Sequence, residues 1–458
     1  MSHLIAYWVA WIEAVPICTL SDRLFFVESH ARSTFKRIIL NFYPVMKSSL
    51  QSRYSYYALS LLLAVNLLNY VDRQVIYAVF PFIKDAFTLT DTSLGLLGSA
   101  FMLCYMISAP ALGWVGDHMS RVTISSAGVA VWSVATSFSG LAASYGSLLL
   151  ARMSVGIGEA SFGTVSPGLL ADYFPKEERG RILSYFYLAI PVGSALGYLL
   201  GGILGERFGW QAAFFVVGLP GILLAIPVWF LREPQRGATE GKISAIPLPA
   251  RTEYVPLFSN RSYVINTLAM TAMTFAMGGL AQWVPTFLYR IHELDLAQGN
   301  TYFGVITVLA GITGTLIGGW LGDFLQAKTE KGYLMVSGWG FVIGAPLAVY
   351  ALVTHSVSTC LGAMFFAEFF LFLNTGPLNT IIVNVTAPGL RARAFAVNIL
   401  VIHALGDAMS PAALGWLSDR WGLRNALLIT PVAFIVAAVF CFLCGRFIGE
   451  DSGKIYGR

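Results

Sequence analysis

Twelve stretches of about 20 or more mostly apolar residues run through this chain, and that repetition limits its fold more than any single motif does. They fall at 55–80, 92–114, 122–142, 146–169, 180–204 and 210–231, then at 262–288, 299–325, 331–354, 357–384, 391–417 and 423–446. Each is long enough to cross a bilayer as a helix, and inside lipid only a helix or a closed barrel satisfies its own backbone hydrogen bonds. Only 12% of the residues are charged, against roughly a quarter in an ordinary soluble domain, and mean hydropathy is +0.69. The expected fold is therefore an all-α membrane protein with twelve transmembrane helices in two six-helix bundles. The expected divisions are an N-terminal cytoplasmic or interfacial segment (1–54), a first bundle (55–231), a cytoplasmic linker (232–260), a second bundle (261–447) and a cytoplasmic tail (448–458).

Lys and Arg give the orientation. With both termini inside, 22 of the 29 fall on the cytoplasmic side and five outside: Lys84, Arg207, Arg290, Arg420 and Arg424. The remaining two, Arg73 and Arg152, lie within spans. This asymmetry accounts for the net charge of +5 and leaves a nucleic-acid partner nothing to explain. The first 50 residues read either as an interfacial helix or as an over-extended start, since Met46 opens a short basic leader before the first span. Five scattered cysteines imply no disulfide framework, and Cys441 and Cys444 read as packing residues. No motif calls for a cofactor or a metal, and a monomer is expected.

The two halves echo each other. "GWVGDHMSR" (113–121) closes the second span and "GGWLGDFLQAK" (318–328) closes the eighth, setting Asp117 and Asp323 at equivalent cytoplasmic corners. "EERGR" (177–181) and "LRAR" (390–393) open the fifth and eleventh. The glycine-rich corner resembles the signature of the major facilitator superfamily, which implies that fold. Asp117, Arg121 and Asp323 are candidate gate residues, with Asp117 expected to meet Arg121 or the basic loop after the fourth span. Paired like halves around a central site suit alternating access.

Charge near the bilayer centre costs roughly 2.5–3.5 kcal/mol per group even on lenient scales. Asp72, Arg73, Arg152 and Glu159 nevertheless lie within first-half spans, and their charges cancel. Counting rise along the helices brings Asp72 and Arg152 to about one level, so their pairing is the cheapest arrangement. Glu159 stands two turns from Arg152 on one face, with no obvious permanent partner. A half-desolvated carboxyl can take up or release a proton near neutral pH, which makes Glu159 the first candidate for proton coupling. The surrounding "GIGEASFG" (156–163) follows no strand, so it reads as close helix packing and not as a nucleotide loop. In the second half, His403 and Asp407 share a helix face at i, i+4 and form a candidate proton carrier, while Glu368 faces either the interior or a neighbouring helix.

A narrower resemblance rests on "NYVDRQ" (69–74), "ARMSVGIGEASF" (151–162), "AIPVGSALGY" (189–198) and "HALGDAMSP" (403–411). These runs are similar to those of Spinster-type transporters, from about residue 55 to 447. The resemblance implies movement of single-chain amphiphiles such as lysophospholipids or sphingoid phosphates, with proton coupling. It implies a polar and coupling cluster of Asp72, Arg73, Arg152 and Glu159, matched in the other half by His403 and Asp407. Read from their own positions, Asn69, Tyr70 and Glu368 join Arg73 and Arg152 as candidate substrate or polar-lining residues. Tyr70, Phe80, Trp283, Tyr289 and the Phe-rich stretch of the tenth span either accommodate an acyl chain or face lipid and pack between helices. The short loops look bacterial, which implies an inner-membrane location. Two alternatives stay open: a proton-coupled facilitator of a small organic anion or drug, and a membrane-embedded lipid-modifying enzyme, for which no HExxH, nucleophile elbow or metal-spaced cluster is present.

Overall fold

A computed structural model of the chain describes residues 53–175, 178–235, 255–386 and 390–456. The chain divides into two compact units, Met1–Tyr57 and Ala58–Arg458. Residues 1–52 of the expected N-terminal segment and most of the expected linker lie outside the described residues. The helical bundle belongs to the second unit.

The described residues are helical almost throughout. In chain order, α1 covers 53–78, α2 Asp91–His118, α3 Arg121–Ser139, α4 Tyr145–Tyr173, α5 Tyr185–Phe208 and α6 Trp210–Trp229. The second set is α7 Arg261–Ile291, α8 Leu296–Gln326, α9 Gly332–Val353, α10 Val357–Asn384, α11 Arg393–Trp421 and α12 Leu423–Cys444. Ten of these are apolar enough to cross a membrane by composition alone. The two outside that set are α1 and α4, the helices that carry Asp72, Arg73, Arg152 and Glu159.

The ends of the helices follow local chemistry. Thr90 accepts from Ser93 N to open α2, Ser120 from Thr123 N to open α3, and Ser144 with Ser147 forms a capping box at α4. The turns after α5 and α11 need Gly209 (φ 85°, ψ 155°) and Gly422 (φ 79°, ψ 153°), a region open essentially to glycine alone. Three details depart from the expected pattern. A short helix, Phe80–Phe87, follows α1; α10 breaks at Leu373 and Asn374; and the chain ends in a helix, Ile448–Tyr456, whose Asp451 accepts from Ser262 N and Oγ.

Between the two sets of helices, α2 packs on α11 and α5 on α8. Among the described residues, the hydrogen bonds that join the sets cluster at one end, opposite the ends of α2 and α12. There Asn300 donates to Ala78 O, Tyr198 to Ala281 O, and Arg290 to Asp91. Phe80 and Trp283, read as either lining an acyl-chain path or packing between helices, pack here and help seal this end. Their buried rings stand 5.7 Å apart, and Trp283 donates to Pro411 O.

Candidate functional site

The "GIGEASFG" run lets α4 settle between α2 and α3. A side chain at Gly156 would meet Phe101 O at 2.4 Å, and one at Gly158 would meet Trp132 N at 2.6 Å, so both neighbours approach the α4 backbone. That close fit brings Glu159 into the interior beside α1.

Two ion pairs then interlace α1 with α4. Arg152, fully buried, holds Nη1 3.7 Å from Asp72 Oδ1, and the other Asp72 oxygen accepts from Thr136 Oγ1 of α3. One residue further along α1 the side-chain direction turns by about 100°. Arg73 therefore leaves Asp72 behind, and its Nε donates to Glu159 Oε2 at 2.6 Å. The expectation that Glu159 lacks a permanent partner is corrected: the longer Arg73 reaches it.

The Phe101 ring of α2 serves both guanidinium groups, with the Arg73 Cζ 5.3 Å and the Arg152 Cζ 4.8 Å from its centroid. Tyr70 and Tyr105 each stand 5.0 Å from the Arg73 Cζ. Desolvated cation–π contacts of this kind are worth about 2 kcal/mol. Phe101 and Tyr105 were not among the sequence candidates, although their i, i+4 spacing on a helix facing α4 was available as a signal.

The cluster also holds unused bonding capacity. Asn69 Nδ2, Asp72 Oδ1, Glu159 Oε1 and all three guanidinium nitrogens of Arg152 are buried and have no hydrogen-bond partner among the described residues. Buried polar atoms left this way cost about 1–3 kcal/mol each. Donors on Arg152 suit an anionic group, and the free Glu159 oxygen suits a proton.

In the second set, α11 is interrupted by a π turn, His403–Asp407, closed by Ala408 N donating to His403 O at 3.0 Å. His403 Nδ1 lies 2.9 and 3.0 Å from the Asp407 oxygens, and the pair stays partly exposed. Gly278 of α7 gives Asp407 its room, since a side chain there would stand 2.5 Å from Asp407 Cβ. Glu368 is buried on α10, and its Oε2 has no hydrogen-bond partner among the described residues. Asn374 bonds carbonyls of its own helix.

The gate candidates sit apart from this centre. Arg121 Nη1 donates to Asp172 Oδ2 at 2.6 Å and its Nε to Glu233 Oε1 at 2.8 Å, which ties α3 to the end of α4 and the segment after α6. Glu233 also accepts from Val122 N and Ser120 Oγ. Asp323 accepts from Tyr333 Oη at 2.8 Å. The side chain of Asp117 lies outside the described residues, so its expected meeting with Arg121 is not seen.

The profile of the Major Facilitator Superfamily matches residues 62–411. The sphingosine-1-phosphate transporter SPNS2 of Danio rerio is 33% identical over 424 residues, covering 85% of this chain and 84% of that protein. The chain belongs to the Spinster family within the major facilitator superfamily. Protein spinster of Drosophila melanogaster is 34% identical over 388 residues, 82% of this chain and 64% of the fly protein. Among solved structures, a bacterial homolog of the human lysosomal transporter Spinster, in an inward-facing and unoccupied conformation, superposes with a TM-score of 0.80 at 26% identity. That match covers 87% of this chain and 98% of the homolog. This Spinster-type chain is thus a multi-pass membrane transporter with the twelve-helix major facilitator fold, in a family of transporters and not of enzymes.

Proposed function

We propose that the chain is a proton-coupled carrier of a single-chain amphiphile with an anionic headgroup, a lysophospholipid or sphingoid phosphate, working by alternating access. The observation that carries this reading is the interlaced charge cluster, in which buried Arg152, ion-paired with Asp72 at 3.7 Å, has three nitrogens without a hydrogen bond among the described residues and Glu159 Oε1 likewise has none. An anionic headgroup fits the donors, and a proton on Glu159 weakens its hold on Arg73. Sphingosine-1-phosphate, carried by the Danio rerio relative, has this chemistry. His403 and Asp407 serve as the second proton site. Asp72, Asn69, Tyr70 and Glu368 complete the polar lining.

The two halves, 55–231 and 261–447, rock about this centre. The Lys and Arg asymmetry supports cytoplasmic termini in a bacterial inner membrane, and the closed end of the bundle is then the outer one. Asp117, Arg121 and Asp323 act at the inner gate, and the carrier works as a monomer.

The test is flux of a fluorescent lysolipid in proteoliposomes under an imposed pH gradient, wild type against Glu159→Gln. Lysolipid movement that follows the gradient in wild type, with binding but no coupling in the variant, supports the assignment. Exchange of small organic anions with no lysolipid movement overturns the amphiphile and favours the small-anion alternative.

A further inference from the structure

The ends of α5 and α11 carry a second internal repeat. "GERFGWQ" (205–211) and "SDRWGLR" (418–424) align at an offset of 213 residues, matching Glu206 with Asp419, Arg207 with Arg420 and Gly209 with Gly422. Both glycines hold the same left-handed backbone, so both carboxylates project from the last turn of their helices in the same way. Each then crosses to the other set of helices. Asp419 Oδ1 accepts from Asp91 N at 2.7 Å and its Oδ2 from Thr92 N at 2.8 Å and Thr92 Oγ1 at 2.5 Å, at the first turn of α2. Glu206 Oε2 accepts from Ala297 N at 2.8 Å, at the first turn of α8. A carboxylate at a helix N-terminus satisfies amides that have no partner within the helix and meets the positive end of its dipole.

The two contacts differ in reinforcement. On the α2–α11 side Ser418 of α11 also donates to the Asp91 carboxylate at 2.5 Å and Ala412 N to Ser99 Oγ at 3.3 Å, and Asp91 is held besides by Lys84 at 2.6 Å and by Arg290 of α7 at 2.9 Å. Among the described residues the α5–α8 side has one hydrogen bond between the two helices, Glu206 to the Ala297 amide, beside the Tyr198 and Phe303 rings at 4.9 Å. We propose that Asp419 and Glu206 are a two-fold pair of latches on the closed end, and that opening starts at the weaker α5–α8 seam while α2–α11 holds. The inference rests on alternating access but not on the identity of the cargo.

Hydrogen–deuterium exchange on the purified full-length chain tests it without any substrate. Glu206→Gln is expected to speed exchange in the first turn of α8 and in the amides beneath it, around Asn300 to Phe303, by tenfold or more, with the first turn of α2 unchanged. Asp419→Asn is expected to speed exchange in α2 by less than threefold, because Lys84, Arg290 and Ser418 still hold Asp91. Equal responses, the reverse ranking, or faster exchange confined to the first amides of α8 overturns the proposal. A cysteine pair replacing Glu206 and Ala297 gives a second arm in a folded, cross-linkable protein. Its disulfide is expected to stop lysolipid flux at least tenfold and reductant to restore it, and undiminished flux in the oxidised form overturns the latch. If the exchange ranking holds while no variant or wild type moves lysolipid, the cargo assignment fails and the latch stands.

Discussion

In α1 and α4 four ionisable side chains form two ion pairs, with Arg152 and Glu159 at 0% exposure and Asp72 at 1%. In α11 the corresponding pair, His403 and Asp407, lies on a π turn at 32% and 18% exposure, and Glu368 stands on α10 without an ion-pair partner among the described residues. The first arrangement is neutral as a unit and, apart from the 18% exposure of Arg73, buried, so any change in one member strands another. The second is partly exposed, so a change in one member leaves the other in reach of water. This contrast separates a structural cost from a functional one, and four variants test it in order of expected effect.

The largest effect falls on Arg152. Arg152→Met leaves Asp72 buried with no cation at 3.7 Å, and breaking a buried pair in this way costs about 3–5 kcal/mol. Thermal unfolding in detergent should show the loss, and adding Asp72→Asn should recover most of it, because the stranded charge is then gone. A single variant as stable as wild type would mean that the first half's cluster is no tighter than the second's.

Next comes the functional asymmetry. Glu159→Gln removes a charge-assisted bond of 2.6 Å to Arg73, a contact of a kind worth about 1.5–3 kcal/mol. Flux driven by a pH gradient should fall about tenfold or more on that scale. Asp407→Asn, on the partly exposed pair, should lower it about two- to threefold. Equal losses would assign the two sites equal weight in coupling.

Much of this was legible in the sequence, for reasons that can be named. Twelve apolar stretches and twice-occurring corners carry the fold, because the bilayer enforces both length and backbone pairing. The four first-half charges stood out because lipid penalises them, and the Asp72–Arg152 pairing followed from their matched depths. The Arg73–Glu159 pair did not, since depth says nothing of the direction in which adjacent residues point, and a reach of one side chain decided it. The π turn at His403 was equally hidden, because "HALGD" reads as ordinary helix and the extra residue per turn is set by packing of α7 against α11. The closed-end carboxylates show as a repeat, but the amides they cap lie 91 and 327 residues away in the chain.

The two glycine turns offer a control in which the halves should agree. Gly422→Ala meets nothing within 4 Å, so its cost measures backbone strain alone, about 1–3 kcal/mol at φ 79° and ψ 153°. Gly209→Ala at φ 85° should cost the same plus the push against Gln211 Oε1 at 3.1 Å. Unfolding midpoints of the two variants compare them directly, and a much cheaper Gly209→Ala would mean that the α5–α6 turn can change shape where α11–α12 cannot.

The smallest effect is expected at His403, and it tests the comparison from the other side. His403→Gln keeps a donor near Asp407 while removing the group that can take a proton, and the pair it disturbs is partly exposed and held within one turn of helix. Such pairs contribute about 1 kcal/mol or less, so unfolding in detergent should barely move, in contrast to Arg152→Met. If the proposed second proton site is real, the dependence of flux on the pH gradient should still change, because the imidazole is gone. A large loss of stability with an unaltered pH response would reverse the assignment, making His403 a structural strut of the π turn and leaving Glu159 to carry the coupling alone.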